Sequence, residues 1–149
     1  LRYFNIYGPR MDVDGKYTEV LIRWYNMIKD GKQPLIFGDG KQTMDFIYVE
    51  DVARANILAM KSDLCDDVIN IGSCNETSLE ELCYLLIEVM SASIQPNYMP
   101  LPDERKKVEV TRRLADTLKA EKLLDFSPKV DLFNGLEKLV HWLNKTVGK

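Results

Sequence analysis

Asp45-Phe46-Ile47-Tyr48-Val49, followed at once by Glu50-Asp51-Val52-Ala53, decides the fold class. The first five residues alternate enough to read as a short strand. Asp51 then stands where a helix N-cap belongs, ahead of an apolar face of Val52, Ala55, Leu58 and Ala59. Beyond an Asp66-Asp67 connector, the β-branched run Val68 to Ile71 reads as the next strand and is closed by Gly72. Strand, helix, strand is the parallel crossover unit, and the same alternation extends in both directions.

Upstream, Leu1 to Tyr7 reads as one short buried strand stopped by Gly8-Pro9, and Asp12 to Lys16 is a polar loop. Val20, Leu21, Trp24 and Ile28 recur at helical spacing, which predicts a helix over 18–30 with Thr18 as N-cap and Gly31 just past its end. After Pro34, Leu35 to Phe37 forms a strand that ends in the glycine turn Gly38-Asp39-Gly40. Downstream, Cys74 to Thr77 is a polar loop, and Ser78 with Glu81 has capping-box spacing at the start of a helix that runs to Met90. A short extended piece follows Pro96. The charged stretch Asp103 to Arg113, behind Pro100 and Pro102, is a surface loop or a binding arm. Two helices close the chain, Thr117 to Leu124 with Asp116 or Thr117 as cap, and Leu132 to Lys145 with a stripe of Leu136, Leu139, Val140 and Leu143. The whole reads as α/β, without internal repeats.

Composition bounds what such a chain can do. Its 149 residues match one domain, and 46% hydrophobic with 29% charged residues is enough to bury a core. A net charge of −3 disfavours a nucleic-acid partner. The apolar stretch Leu82 to Met90, interrupted by Tyr84 and Glu88, falls short of the roughly 20 residues that span a bilayer, so no membrane role is expected. Cys65, Cys74 and Cys83 contain no CxxC pair, and His141 is the only histidine, so neither a disulfide framework nor a metal site is expected. Free cysteines agree with a reducing, cytoplasmic setting.

The chemical inventory is thin. The sequence has no nucleophile elbow, no phosphate-binding P-loop and no GxGxxG fingerprint, since the turn at Gly38 and Gly40 lacks the third glycine and the helix directly after it. Arg105, Lys106, Lys107, Arg112 and Arg113 put five cations within nine positions, which is either a site for a compact anion such as a pyrophosphate or a solvated loop. Asn5 ends a strand, where its amide is either a structural turn group or faces the crevice in which α/β proteins bind ligands.

Three blocks in order carry a resemblance: Arg2-Tyr3-Phe4-Asn5-Ile6-Tyr7-Gly8-Pro9-Arg10, the run from Phe37-Gly38-Asp39-Gly40 through Asp45-Phe46-Ile47-Tyr48-Val49 to Ala53, and Ala115-Asp116-Thr117-Leu118-Lys119-Ala120. Together they resemble the nucleotide-sugar epimerase/dehydratase family of extended short-chain dehydrogenases, in its carboxyl-terminal half. The resemblance implies a substrate-binding portion over 1–149 carrying the last strands of a Rossmann-like parallel sheet, with 1–7 and 68–90 in the cofactor-binding layer. It also implies that the glycine-rich NAD loop and the catalytic Ser/Thr and Tyr-x-x-x-Lys lie upstream. No catalytic residue is then expected in this chain, because Tyr25 and Lys29 have the spacing but fall inside a predicted helix.

Carried over residue by residue, the resemblance places the Tyr3 backbone near the nicotinamide carboxamide and the Asn5 amide at the sugar-nucleotide phosphates. It makes Leu35, Ile36 and Phe37 the strand whose backbone reads a uracil-type base. Family members often carry an arginine on the phosphate where this chain has Met44, a loss of about 1.5–3 kcal/mol of charge-assisted hydrogen bonding unless replaced. Lys106 aligns with a second phosphate-binding arginine, and Arg112 and Arg113 are the candidates to replace the missing cation. The implied activity is an NAD-dependent epimerase on a nucleotide-diphosphate sugar, UDP-sugar first, homodimeric at full length. A dehydratase or decarboxylase of the same family, or a non-catalytic sugar-nucleotide binding protein, are the alternatives.

Overall fold

A computed structural model describes residues 1–14, 20–103 and 110–146. The chain runs β1 (Arg2–Tyr3), β2 (Asn5–Tyr7), α1 (Val20–Lys29), β3 (Leu35–Phe37), β4 (Thr43–Met44), β5 (Phe46–Tyr48), α2 (Val49–Lys61), β6 (Asn70–Ile71) and β7 (Thr77–Ser78). It continues through α3 (Leu79–Val89), β8 (Asn97–Met99), β9 (Arg112–Arg113), α4 (Leu118–Leu124) and α5 (Leu132–Thr146). Strand pairs β1–β6, β2–β5 and β3–β8 are parallel, and β4 lies between antiparallel β7 and parallel β9.

All three residues of β5 are buried, so this strand separates two cores. Side chains alternate across a strand. Phe46 and Tyr48 therefore enter one core with Tyr7, Trp24, Tyr25, Leu82, Leu86, Leu136 and Leu139, while Ile47 enters the other with Val52, Ala55, Ile71, Ala120 and Phe126. Helices α1, α3 and α5 close the first core; α2 and α4 close the second. Among the described residues, no helix is long and apolar enough to cross a membrane.

The expected α/β alternation stands, with local corrections. Leu1 to Tyr7 is two strands, because Phe4 separates a piece bonded to β6 from one bonded to β5. It is also not buried throughout, since Tyr3 is 43% and Ile6 39% exposed. An apolar strand reads as buried only when something covers both of its faces. Asp45 lies between β4 and β5 rather than opening a strand. Asp51 does not cap α2, which starts at Val49 with Tyr48 as its N-cap. Instead Asp51 is buried and accepts hydrogen bonds from the Lys129 and Val130 amides, both at 3.0 Å, while pairing with Arg54. Val68 is exposed and outside β6. Of the charged segment 103–113, read as a surface loop or a binding arm, residues 104–109 lie outside the described residues and Arg112–Arg113 form an exposed sheet strand, β9.

Other local expectations match the structure. The Ser78–Glu81 capping box forms with both bonds present. Gly31 follows α1 with φ of 71°. Asp116, rather than Thr117, accepts a hydrogen bond from the first turn of α4, at the Leu118 amide. Thr18, offered as the cap of α1, lies outside the described residues.

Gly135 shows why α5 can approach the sheet. A Cβ there would sit 2.0 Å from the Tyr7 hydroxyl oxygen and 2.7 Å from its Cζ. Gly135→Ala is therefore expected to lower stability by about 1–3 kcal/mol, overpacking outweighing the gain of about 1 kcal/mol in helix propensity. Chemical denaturation of the two proteins measures this, and a more stable variant would contradict the packing.

Candidate functional site

Asp45 organises the site from a fully buried position. Its fully buried carboxylate accepts the Ser73 amide and hydroxyl, both at 2.7 Å, the Cys74 amide at 2.9 Å and the Ala115 amide at 3.2 Å. A buried carboxylate persists only when its oxygens are satisfied in this way. Gly72 permits the approach, because a Cβ there would lie 2.4 Å from Ala115 Cβ and 2.7 Å from Asp45 Oδ2. One side chain thus gathers the turn between β4 and β5, the loop after β6 and the segment after β9.

The Asp45 backbone extends this connection to Asn5. The Asn5 side-chain amide donates to the Asp45 carbonyl at 2.7 Å, and the Asp45 amide donates to the Arg113 carbonyl at 2.8 Å. Residues 5, 45 and 113 therefore form a hydrogen-bonded row across β2, the β4–β5 turn and β9. Asn5 keeps a second amide hydrogen and its carbonyl oxygen beyond this bond.

The two arginines of β9 lie in different environments. Thr43 is the register partner of Arg112, and Met44 that of Arg113. Partners in a sheet share a face and successive residues alternate, so Arg113 lies on the Met44 side and Arg112 on the Thr43 side. Arg112 holds Glu76 through two bonds, Nε to Oε1 at 2.8 Å and a terminal nitrogen to Oε2 at 2.9 Å. Thr43 Oγ1 donates to the same carboxylate at 2.5 Å. The Arg112 guanidinium, followed by the Thr43 hydroxyl, draws the Glu76 carboxyl down to about 2. Arg113 is exposed, and its guanidinium makes no hydrogen bond or ion pair with a described residue.

Other residues singled out by the sequence lie on separate strands. In β3, Ile36 is 1% exposed. The Asn97 amide donates to the Pro34 carbonyl and the Gly38 amide to the Met99 carbonyl, so β8 takes the peptide groups at even-numbered positions. Those of Leu35 and Phe37 turn the other way, where the Leu35 carbonyl accepts the Trp24 indole N–H at 2.7 Å. In β1, the Arg2 and Phe4 amides bond to β6, so the Tyr3 peptide groups turn away from it. The Tyr3 hydroxyl donates to Asn56 Oδ1 at 2.8 Å. Lys106 lies outside the described residues, as do Arg105 and Lys107.

A cavity of about 360 Å³ opens beside Phe46, between Ser73, Asn75 and Thr77 on one wall and Lys129 to Leu132 on the other. Sequence reasoning missed this wall and the role of Asp45. A lone acidic residue between the apolar Met44 and the apolar pair Phe46-Ile47 was the available signal. Tyr25 is fully buried and its hydroxyl donates to Asn144 Oδ1 at 2.6 Å, joining α1 to α5, while Lys29 lies over its ring within α1. His141 is exposed, and no group of three or more metal-ligating side chains occurs among the described residues.

Residues 1–72 match the model of the NAD dependent epimerase/dehydratase family. The chain is 34% identical to the UDP-N-acetyl-alpha-D-glucosaminuronate decarboxylase of Bacillus cytotoxicus, over 97% of this chain and 46% of the relative. It is 31% identical to the UDP-glucuronate 4-epimerase of Thermodesulfobacterium geofontis, over 99% of this chain and 43% of the relative. Among solved structures it superposes on a UDP-glucose 4-epimerase with UDP-glucose from Thermotoga maritima with a TM-score of 0.88. That match is 36% identical and covers 98% of this chain and 45% of the other. The chain thus spans less than half the length of the relatives it matches.

Two outcomes follow from the hydrogen bonds at this site. Asp45→Asn replaces two acceptor oxygens with one acceptor and a donor facing amides, and is expected to cost at least about 1–3 kcal/mol. Denaturant unfolding measures the loss, and an unchanged midpoint would remove Asp45 as the organising group. Glu76 has a depressed folded pKa. Its contribution to stability is therefore present above its unfolded value near 4.5 and is lost as pH falls through about 2. Carboxyl NMR titration is expected to place Glu76 well below the other glutamates, and Arg112→Ala to return it toward the ordinary range.

Proposed function

We propose that this chain, which belongs to the NAD dependent epimerase/dehydratase family, is the carboxyl-terminal, nucleotide-sugar-binding portion of a longer enzyme. The reaction proposed for the whole protein is epimerisation at C4 of a UDP-sugar. The observation that carries the reading is the row from Asn5 through Asp45 to Arg113, which brings a side-chain amide and a cationic strand to one sheet end from three distant segments. An amide and a guanidinium on a rigid frame are suited to a diphosphate.

The residues take separate parts. Asn5 donates its remaining amide hydrogen to a phosphate oxygen. The peptide groups of Leu35 and Phe37, on the side of β3 away from β8, are assigned to a uracil-type base, the Leu35 carbonyl being shared with the Trp24 indole N–H, while Ile36 anchors that strand in the core. Lys106 is assigned to the phosphates from sequence alone. Holding the diphosphate remote from the reacting carbon spends binding energy on orientation, which is how such contacts raise a rate.

NAD, when bound, supplies hydride acceptance and return. Of the residues here, Tyr3 fits a place beside it, because its peptide groups turn away from β6 and its side chain is exposed. The rest of the NAD site and the acid–base residues are assigned to upstream sequence, with cytoplasmic location and a homodimer as part of the same proposal. A decarboxylase on a UDP-sugar is the second reading, favoured by the relative of that activity, since the binding half would serve either chemistry.

Isothermal titration of UDP, dTDP and GDP into the full-length protein, with and without NAD, tests the reading. UDP is expected to bind at micromolar affinity or better, and Asn5→Ala to weaken it by about tenfold or more. If none of the three diphosphates binds, the proposal is wrong. Product analysis with UDP-glucose and UDP-glucuronate then separates epimerisation from carbon dioxide release.

A further inference from the structure

We infer that Arg113 alone carries the phosphate-binding charge of β9, and that Arg112, its neighbour, is a strut committed to Glu76. The inference rests on the nucleotide-diphosphate reading and assigns the specificity-determining cation within it.

The sheet register separates the two guanidiniums. Arg112 shares a face with Thr43; two of its five N–H donors and the Thr43 hydroxyl go to Glu76, so its guanidinium is paired with a carboxylate and held in place. A bidentate arginine–carboxylate pair is the strong form of such a contact, and an incoming phosphate would have to displace it. Arg113 shares the opposite face with Met44, an unbranched apolar side chain that packs against the first core and brings no charge. Phe46, two positions beyond Met44, and Asn5, its register partner, lie toward that same core. Arg113 is therefore the β9 cation on the Asn5 face. Its backbone carbonyl is fixed by the Asp45 amide, while its guanidinium remains free of partners among the described residues.

The placement also makes positions 44 and 113 interchangeable. They are paired across two adjacent strands, and a long unbranched side chain from either reaches the same side. An arginine at 44 with a neutral residue at 113 would present the same charge from the next strand.

The test is UDP titration, with inorganic pyrophosphate as second probe, into the full-length protein and four variants. Arg113→Ala is expected to weaken UDP by about tenfold or more with an unchanged melting temperature, because the side chain is exposed and has no partner among the described residues. Arg113→Gln, which keeps most of the stem, is expected to do the same. Adding Met44→Arg to Arg113→Ala is expected to restore affinity to within about threefold of wild type, a rescue that a structural role for Arg113 would not give. Glu76→Gln releases Arg112 and distinguishes the two arginines. If Arg112 is only a strut, this variant loses stability without gaining affinity; if Arg112 binds phosphate, affinity rises. Wild-type binding with Arg113→Ala unaffected, no rescue by Met44→Arg, or tighter binding by Glu76→Gln each overturns the assignment while leaving the nucleotide reading in place. Absence of UDP and pyrophosphate binding in the wild type overturns both.

Discussion

A carboxylate buried completely in protein must be supplied with donors, and satisfying Asp45 dictates much of the remaining geometry. Its four donors come from Ser73, Cys74 and Ala115, residues 28 to 70 positions away in the chain. Once these are in place, the loop after β6 cannot drift from β4, and the segment leaving β9 must pass close enough to Gly72 that a methyl group would collide. The strands involved are only two or three residues long, too short to fix their own register by ladder bonds alone. Asp45 supplies the fixation that longer strands obtain from pairing. A site assembled from such short pieces is positioned by a buried polar centre, and the cost of burying that centre is offset by its four hydrogen bonds, which also position Asn5 and β9.

The second constraint is β5, whose alternate residues serve two cores. Because Tyr7 and Tyr48 stand edge to face at 5.7 Å and α5 reaches Tyr7 over Gly135, the first core is locked against the β2–β5 pair. Asp51 plays a parallel part on the other side, joining the first turn of α2 to the segment that leads into α5. The two buried acids among the described residues, Asp45 and Asp51, therefore both act as junctions between distant backbone segments. Tyr3 and Ile6 are exposed on the short parallel strands β1 and β2.

Most elements were legible where local chemistry dominates. The Ser78–Glu81 box, the helical stripe of Leu136, Leu139, Val140 and Leu143, and the turn at Gly38 and Gly40, with φ of 81° and 72°, are written in residue type and spacing. Alternation also gave the α/β class. What failed was decided by partners far along the chain. Asp51 has the residue type of an N-cap, but two amides from residues 129 and 130 claim its side chain, and Tyr48 takes the cap position. Leu1 to Tyr7 has the composition of one strand, but it is divided because β6 and β5 draw its halves apart. Arg112 and Arg113 were indistinguishable in sequence, being adjacent and alike. Only the register with β4 and the position of Glu76 tells them apart.

That difference illustrates how a sheet handles charge. Two neighbouring cations on a strand repel each other if both project to one side, whereas alternation places them on opposite faces, where each can be given a separate task. The face bearing Arg112 also bears Glu76 and Thr43, so its positive charge is cancelled locally and contributes order rather than field. The face bearing Arg113 bears Met44, which cancels nothing. On the assignment proposed above, the phosphate-facing charge of β9 comes from one residue of the pair although the sequence shows two. On the same assignment, counting both Arg112 and Arg113 overstates the charge that β9 offers a phosphate, because the Arg112 guanidinium is already paired with Glu76.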